Sequence, residues 1–362
     1  MKVYIVMLAL IMVFGFCAVW VPFTESNGVR NNLKLIRTKK PNTLFVWLVF
    51  FCLAFVAMFR YGVGTDFYNY YKTELWTNKF NEGEYLEPGF TLLAVLCKKI
   101  FGSQRGILTI ISAFITITIF VFTIARSKEN FAISVMLFIF IGCFTGMFNG
   151  VRQYLATAIM FAGHRFIINK KPIKWLLVVL LASTFHVTAI LMFFVYFVAN
   201  LNCNWKLVIM YLFIAIILLF AYEPLFNLVG ALKQDEINTS DSYMTATVNM
   251  LRVLVQGVPV IFLFFIKKSD INEDKETRFL LNICLLNAAI AIASMNSAYL
   301  ARFWIYTSCF QILMYPKIFS KMKSRESLIF IIMLMFLYSI FWIYDVLNAP
   351  LVRNFQWIFP YL

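Results

Sequence analysis

The chain has 362 residues, of which 62% are hydrophobic and 14% charged, and its mean hydropathy is +0.81. Soluble domains are about 45–50% apolar and about 25% charged, so this composition excludes a soluble globular protein, a disordered chain and a disulfide scaffold. The 32 Lys and Arg residues against 17 Asp and Glu give a net charge of +15. In a soluble protein that excess would suggest nucleic acid. In so apolar a chain it indicates membrane orientation instead, and we expect no nucleic-acid partner.

Apolar segments of membrane-spanning character occur along the whole chain, since about 20 helical residues cross the hydrocarbon core. In chain order they cover residues 3–21, 44–59, 107–125, 131–148, 154–168, 175–198, 207–228, 251–266, 279–294, 301–315 and 328–347. They predict an all-α polytopic membrane protein with about 11 to 13 membrane helices. We expect one integral membrane domain over residues 1–362.

The polar loops predict the orientation of the chain. Cationic residues concentrate between the first two spans, at Arg30, Lys34, Arg37, Lys39 and Lys40. By the positive-inside rule this loop is cytoplasmic, so both termini face outward, as do loops at residues 60–104 and 229–248. His164 stands beside Arg165 among further cations assigned to the inner face, and we interpret it as solvated.

Two segments do not fit an even number of crossings between cytoplasmic loops. Residues 88–101 are too short to span and end in Lys98-Lys99, which predicts a re-entrant or interfacial helix within the outward loop. Residues 175–198 satisfy the count only if they are broken near His186 into a helical hairpin. Irregular backbone at membrane depth is tolerated inside protein or along a wet cavity, so both irregularities indicate an outward-facing cavity.

The residues that could carry chemistry on the predicted outward side are few. Asp66, Glu87 and His186 are the candidates there for a group that accepts a proton. Gly62 and Gly64 permit a tight turn that could hold Arg60 near Asp66, although an aromatic belt with a surface ion pair explains the same residues. A lone buried histidine is more often a packing residue than a catalyst, yet ionisable groups within the membrane are functional candidates.

Four arginines lie at predicted outer helix ends: Arg60, Arg152, Arg252 and Arg302. The planar guanidinium suits two-point contact with phosphate oxygens, and a set of four would suit a pyrophosphate. The alternative is four independent side chains that extend toward the lipid headgroups.

Several motifs together resemble a known family. They are Arg60 with Gly64-Thr65-Asp66, Tyr68 and Tyr71; Glu87-Pro88-Gly89-Phe90; Asn149 with Arg152-Gln153 and Ala156; Ala182 with His186 and Ala189; Arg302 with Tyr306; and the final Pro360-Tyr361. In this order they are similar to the EpsG-type exopolysaccharide polymerases, which are Wzy-like. The resemblance covers nearly the whole chain from Arg60 to Tyr361.

The resemblance implies a GT-C-like glycosyltransferase of the bacterial cytoplasmic (inner) membrane. It would join undecaprenyl-pyrophosphate-linked oligosaccharide repeat units, as donor and acceptor, on the outer face to make an O-antigen, capsule or exopolysaccharide. A flippase and a chain-length regulator are the expected protein partners, beside membrane lipid.

Roles for individual residues follow from this resemblance. The base would be Asp66 or His186, with Glu87 next; Arg152 and Arg302, then Arg60 and Arg252, would contact pyrophosphate. Glycan or lipid would contact Tyr68, Tyr71, Gln153 and Tyr306. Transfer would be inverting, and the outward loops contain no Asp-x-Asp motif, so we expect no metal and no cofactor.

Two other functions fit a polytopic chain of this kind. An outer-face glycan ligase would use the same donor chemistry. A lipid-linked sugar flippase or transporter would also have broken helices, usually with internal repeats and ionisable groups at mid-membrane depth.

Overall fold

The computed structural model describes residues 1–20, 40–72, 76–78, 87–102, 104–127, 129–233, 247–265 and 268–361. Helices make up about 79% of the structure. The chain forms two compact units: unit 1 comprises Met1–Phe194 with Tyr315–Leu362, and unit 2 comprises Val195–Met314. Four of the five cations of the first predicted loop, Arg30, Lys34, Arg37 and Lys39, lie outside the described residues. The single membrane domain stays a prediction.

The first part of unit 1 consists of helices and one short strand. In chain order these are α1 (Lys2–Trp20), α2 (Thr43–Met58), β1 (Arg60–Tyr61), α3 (Phe67–Tyr71), α4 (Pro88–Phe101), α5 (Ile107–Arg126), α6 (Phe131–Phe140), α7 (Cys143–Gly146), α8 (Val151–Gly163), α9 (Arg165–Ile168), α10 (Pro172–Ser183) and a 3-10 helix (Val187–Phe194). Helix α5 packs against α2 and α8, and α10 packs against α8 and the 3-10 helix.

The secondary-structure elements described in unit 2 are all helices. Its elements are α11 (Val195–Val198), α12 (Trp205–Lys233), α13 (Met250–Gly257), a 3-10 helix (Val258–Ile261), α14 (Phe262–Phe265), α15 (Lys268–Glu273), α16 (Lys275–Ala293), α17 (Ala298–Ala301) and α18 (Trp304–Ser308). Helix α16 packs against α12 and α13. The chain then returns to unit 1 through α19 (Gln311–Lys321), followed by α20 (Ser324–Leu347), α21 (Pro350–Arg353), β2 (Gln356–Trp357) and a last 3-10 turn (Phe359–Tyr361).

The all-α prediction is confirmed for the described residues. In the part of the chain that the structure describes, four helices are long and apolar enough to cross a membrane, and further apolar helices are shorter. The long ones are Lys2–Val19, Ile107–Arg126, Lys275–Ala293 and Arg325–Leu347. The total number of spans and the GT-C-like architecture stay predictions.

Both predicted irregularities are present. Helix α4 has 14 residues, the length that the sequence predicts for the short helix. Helix α10 ends at Ser183, and the chain resumes at Val187 as a 3-10 helix that packs back against α10. A break near His186 is therefore present, whereas the re-entrant or interfacial position of α4 and the outward side of the break stay predictions.

Other predicted segments are more interrupted than their hydropathy indicates. The span over residues 131–148 is broken between α6 and α7, where Gly142 has a φ of +88° that favours glycine. The span over residues 251–266 changes to 3-10 helix at Val258-Pro259 because proline cannot continue the hydrogen-bond ladder. Helix α12 continues through Lys233, so the first residues of the predicted 229–248 loop are helical. Residues 234–246 of that loop lie outside the described part.

Unit 1 has two ends separated by the length of α5, which for 20 residues is about 30 Å. At the first end, β1 pairs antiparallel with β2, and the amino terminus of Met1 donates to the carbonyl of Arg353 at 3.0 Å. At the second end, Arg165 donates to the carbonyl of Arg126 at 3.2 Å. Both termini therefore share one end of unit 1 with residues 60–71. The side of the membrane on which this end lies stays a prediction.

Candidate active site

A buried carboxylate joins two distant parts of unit 1. The side chain of Glu87 is only 5% exposed. Its Oε1 accepts hydrogen bonds from Nδ1 of His186 at 2.8 Å and from the backbone N–H of Val187 at 3.3 Å. Its Oε2 accepts from Nη1 of Arg152. One carboxylate therefore binds a histidine with one oxygen and an arginine with the other.

The electrostatics keep Glu87 ionised. Burial raises the pKa of the Glu87 carboxyl, but the hydrogen bond from His186 and the charge of Arg152 outweigh burial and hold that pKa below its ordinary value. An ionised carboxylate can only accept hydrogen bonds, so Nδ1 of His186 is the donor. A neutral imidazole of this tautomer has an unprotonated Nε2, which can accept a proton.

The start of α4 is hydrogen-bonded to the segment where the hairpin is broken. The carbonyl of Thr184 accepts from the backbone N–H of Gly89 at 2.9 Å and of Phe90 at 3.3 Å, so it satisfies N–H groups that a helix start leaves unpaired. Pro88 stands in the first turn of α4, where its missing N–H costs nothing. Glu87 immediately precedes this turn and is thereby held beside His186.

Gly89 has no room for a side chain. A Cβ there would lie 2.9 Å from Cβ of Thr184 and 3.1 Å from its carbonyl oxygen. The sequence motif Glu87-Pro88-Gly89-Phe90 thus has a packing explanation: the glycine lets α4 approach the hairpin closely enough for Glu87 to reach His186.

Replacing Gly89 with alanine is expected to lower the free energy of unfolding by about 1–3 kcal/mol, the usual cost of overpacking, because α4 must move away from Thr184. Thermal unfolding of the purified variant measures this effect. Gly257→Ala is the matched control, because a Cβ there meets nothing within 4 Å. Wild-type stability of Gly89→Ala would show that the close approach of α4 is not needed.

Arg152, the second residue of α8, is held by three groups. Besides Glu87, its Nε donates to the hydroxyl of Tyr70 at 3.0 Å, and its guanidinium lies 4.8 Å from the centre of the Trp76 ring. The Tyr70 and Trp76 rings are stacked at 5.7 Å. Sequence reasoning did not single out Tyr70 or Trp76. Helical spacing could have indicated Tyr70, since it shares a buried face of α3 with Phe67 and Tyr71.

Two polar atoms of this cluster remain open. Among the described residues, neither Nε2 of His186 nor Nη2 of Arg152 has a hydrogen-bond partner. Their side chains are 15% and 29% exposed. The cluster therefore presents one proton acceptor and one cationic N–H edge to its surroundings.

Asp66 lies close to this cluster without joining the shared carboxylate. It precedes α3 and accepts a hydrogen bond from the Thr65 hydroxyl at 3.2 Å. Burial raises the pKa of the Tyr70 phenol, and the nearby charge of Asp66 also raises that pKa. The loop before it is fixed by the backbone N–H of Thr65, which donates to Asn149 at 3.0 Å. Gly64 has a φ of +99°, and a Cβ there would lie 2.6 Å from the carbonyl carbon of Phe148.

Arg60 lies in the interior of unit 1. It is fully buried, donates to the carbonyl of Ala57, and lies 4.7 Å from the centre of the Phe148 ring. Burial lowers the pKa of Arg60 to about 10, which still leaves it protonated at neutral pH. In this structure Arg60 packs β1 against Phe148 and has no exposed surface, and its contact with pyrophosphate stays a prediction.

The predicted glycan or lipid contacts in unit 1 differ in exposure. Tyr68 is 58% exposed and lies edge-on to the ring of Tyr61, so it is available to a ligand. Tyr71 and Gln153 are buried, and their contact with glycan or lipid stays a prediction. His164, which we predicted to be solvated, is also buried: its Nδ1 lies 2.6 Å from the carbonyl of Phe161.

Unit 2 contains Arg252, Arg302 and Tyr306. The backbone N–H of Val248 donates to the carbonyl of Met295 at 2.9 Å, so the start of α13 lies beside the end of α16. Arg252 and Arg302 are both exposed near this end of the unit. Tyr306 is fully buried, so it does not present a surface to glycan or lipid in this structure.

A buried network of amide and hydroxyl side chains lies in unit 2, and sequence reasoning missed it. Oε1 of Gln256 accepts from Asn287 and from Gln311, each at 2.7 Å, and Thr307 donates to Asn287 at 2.7 Å. Arg252 and Gln256 are four residues apart on α13, the spacing that places two side chains on one helix face. The four buried side chains fix the packing of unit 2 behind its two exposed arginines.

Within the described residues, no group of three or more His, Cys, Asp and Glu side chains is arranged to hold a metal ion. The cluster at Glu87 is instead built around a cation supplied by the chain itself.

Comparison with known families identifies the family of this chain. The model of the EpsG family matches residues 43–362. The chain belongs to the EpsG family. The matched region contains Glu87, Arg152 and His186 with every element that positions them. Membership of the EpsG family indicates an exopolysaccharide polymerase-type function for this membrane protein. No curated protein and no solved structure matches the chain significantly.

Proposed function

We propose that this EpsG protein joins lipid-linked oligosaccharide repeat units into a polysaccharide. The donor is a growing glycan on undecaprenyl pyrophosphate, and the acceptor is one repeat unit on the same carrier. The observation that carries the proposal is the shared Glu87 carboxylate, beside which Nε2 of His186 and Nη2 of Arg152 stay open. A base and a cationic fork are the groups that glycosyl transfer from a pyrophosphate requires.

In the proposed reaction, Nε2 of His186 accepts the proton of an acceptor hydroxyl. The hydroxyl oxygen forms a bond to the anomeric carbon while the bond from that carbon to the pyrophosphate oxygen breaks. The electron pair of the broken bond leaves with the lipid pyrophosphate, and the anomeric configuration inverts. The imidazolium then releases its proton to water or to the leaving group.

Glu87 serves as the partner of His186 in this mechanism. Its hydrogen bond to Nδ1 fixes the tautomer, and its negative charge stabilises the imidazolium that forms. Because both carboxylate oxygens are occupied, we assign the base to His186 rather than to Glu87. Asp66 is the second candidate base, since it lies in the same region of unit 1.

Arg152 takes the role of the pyrophosphate contact in unit 1. Its positive charge stabilises the negative charge that develops on the leaving oxygen. Arg252 and Arg302 are the exposed arginines that we propose for pyrophosphate in unit 2. With cations supplied by the chain, the reaction requires no metal and no cofactor.

The proposed location is the outer face of the bacterial cytoplasmic membrane, on a GT-C-like scaffold. The end of unit 1 that contains both termini and Glu87 would then face outward, which agrees with the predicted orientation. A flippase that delivers repeat units and a chain-length regulator are the proposed partners.

The test is the length of the glycan that accumulates in a strain lacking the protein. We expect single capped repeat units, restored to polymer by the wild-type gene. Long chains that remain on the lipid carrier would indicate a ligase instead. Repeat units trapped on the cytoplasmic side would indicate a flippase.

A further inference from the structure

The guanidinium of Arg152 has five N–H hydrogens, and only some of them donate hydrogen bonds to other residues of the chain. Nε binds Tyr70 and one N–H of Nη1 binds Glu87, while Nη2 has no partner among the described residues. A free arginine side chain samples many rotamers, and it loses this conformational freedom when it forms a two-point contact with phosphate. Groups that fix the guanidinium in advance therefore raise its affinity for an anion.

Tyr70 is itself immobilised. It is buried in α3, stacks on Trp76, and meets the ring of Phe90 edge-on at 5.5 Å. Its hydroxyl is aimed at Nε, the one nitrogen of Arg152 that does not belong to the outer fork. That hydrogen bond orients the guanidinium plane without occupying the Nη2 edge.

Trp76 holds the same guanidinium through a second kind of contact. Its indole N–H donates to the carbonyl of Asn69 at 2.8 Å, and its ring packs on Phe90 at 4.9 Å. The guanidinium of Arg152 lies over this fixed ring face. The ring attracts the cation through its π electrons, so this contact does not use the N–H groups that would bind phosphate. Phe90 belongs to α4 and follows Glu87 by three residues, so one aromatic cluster supports both members of the ion pair.

We propose that Tyr70 and Trp76 are positioning residues that hold the Arg152 guanidinium so that its Nη2 edge meets the pyrophosphate of the lipid-linked donor. The inference rests on the proposed function and adds to it: the anion is recognised by an arginine whose orientation is set by a phenol hydroxyl and an indole face. Neither residue contacts the reacting atoms.

The experiment measures inhibition of polymer synthesis by inorganic pyrophosphate, using the purified full-length protein and lipid-linked repeat units. Tyr70→Phe removes only the hydroxyl, and we expect it to raise the inhibition constant about tenfold, the effect of losing one hydrogen bond to a charged group. Trp76→Leu is expected to raise it about three- to tenfold, while Trp76→Phe, which keeps a ring face, retains most of the affinity.

Tyr338→Phe is the matched control, because Tyr338 is a buried tyrosine of unit 1 whose hydroxyl pairs with Tyr315 at 2.6 Å. We expect it to leave the inhibition constant unchanged. Thermal unfolding of every variant is measured in parallel, since a purely structural role would lower stability without changing pyrophosphate affinity. If Trp76→Leu does not fold, Tyr70→Phe and Trp76→Phe still test the proposal.

Arg152→Ala separates failure of the inference from failure of the proposed function. If Arg152→Ala weakens pyrophosphate inhibition but Tyr70→Phe and Trp76→Leu do not, the positioning role is wrong and the proposed function stands. If Arg152→Ala changes neither inhibition nor polymer synthesis, the proposed pyrophosphate contact itself is wrong.

Discussion

Replacing His186 with asparagine is expected to abolish polymer synthesis while leaving unit 1 folded. The amide nitrogen of asparagine can occupy the place of Nδ1 and still donate to Oε1 of Glu87. Nothing then occupies the place of Nε2, so no base faces the acceptor hydroxyl. Loss of a general base lowers the rate by about 10²- to 10⁴-fold. Polymer formation by the purified variant, with its thermal unfolding, provides the measurement.

His164→Asn is the control for this substitution, because these are the two histidines of the chain and both lie in unit 1. Asparagine can keep the contact that Nδ1 of His164 makes with the carbonyl of Phe161, and we expect normal polymer synthesis. A normal rate from His186→Asn would contradict its role as base. Asp66→Asn would then become the decisive variant.

Replacing Glu87 with glutamine is expected to affect both stability and rate. The substitution leaves the half-buried Arg152 charge without its carboxylate, and breaking a buried pair in this way costs about 3 kcal/mol. The glutamine amide has a single acceptor oxygen, so it cannot accept from both Arg152 and His186. With its NH₂ group toward Nδ1 it favours the other tautomer of His186, for which a rate loss of up to about 10⁴-fold is expected.

The stability effect of Glu87 depends on pH in a defined direction. Because the folded-state pKa of Glu87 is lowered, its ionisation stabilises the fold fully above the ordinary Glu pKa of about 4.3. This contribution is lost as the pH falls through the lowered folded value. The difference in unfolding free energy between wild type and Glu87→Gln should therefore be largest near neutral pH and disappear in acid.

Glu129→Gln provides the comparison for the effect of Glu87. Glu129 is a second buried carboxylate of unit 1, and it lies 3.7 Å from the ammonium of Lys317. We expect its replacement to lower stability without lowering polymer synthesis per folded molecule. Equal rates for Glu87→Gln and wild type would contradict a role for Glu87 in orienting His186.

The two irregular elements show how far sequence reasoning reaches. The length of residues 88–101 and the parity of crossings predicted a short helix and a break near His186, and both are present. These features depend on the length, hydropathy and charge of short segments, which can be read directly from the amino-acid sequence. The interruption after α6 was missed because hydropathy does not distinguish a continuous apolar helix from one with a left-handed glycine.

The tyrosines of α3 show where such reasoning stops. The motif drew attention to Tyr68 and Tyr71, whereas the residue that binds Arg152 is Tyr70. Five residues of helix expose Tyr68 and bury Phe67, Tyr70 and Tyr71. Which buried tyrosine meets Arg152 depends on how α3 packs against its neighbours, not on composition.

The sequence by itself determined that this protein is a membrane-embedded helical chain and that Asp66, Glu87, Arg152 and His186 are among its few chemically useful groups. Only the tertiary structure decided that Glu87 is shared between Arg152 and His186, which lie 65 and 99 residues further along the chain. It also decided that Arg60 is buried. Hydropathy and charge follow from each residue and its near neighbours, whereas the sharing of one carboxylate is set by close packing of helices that are remote in sequence.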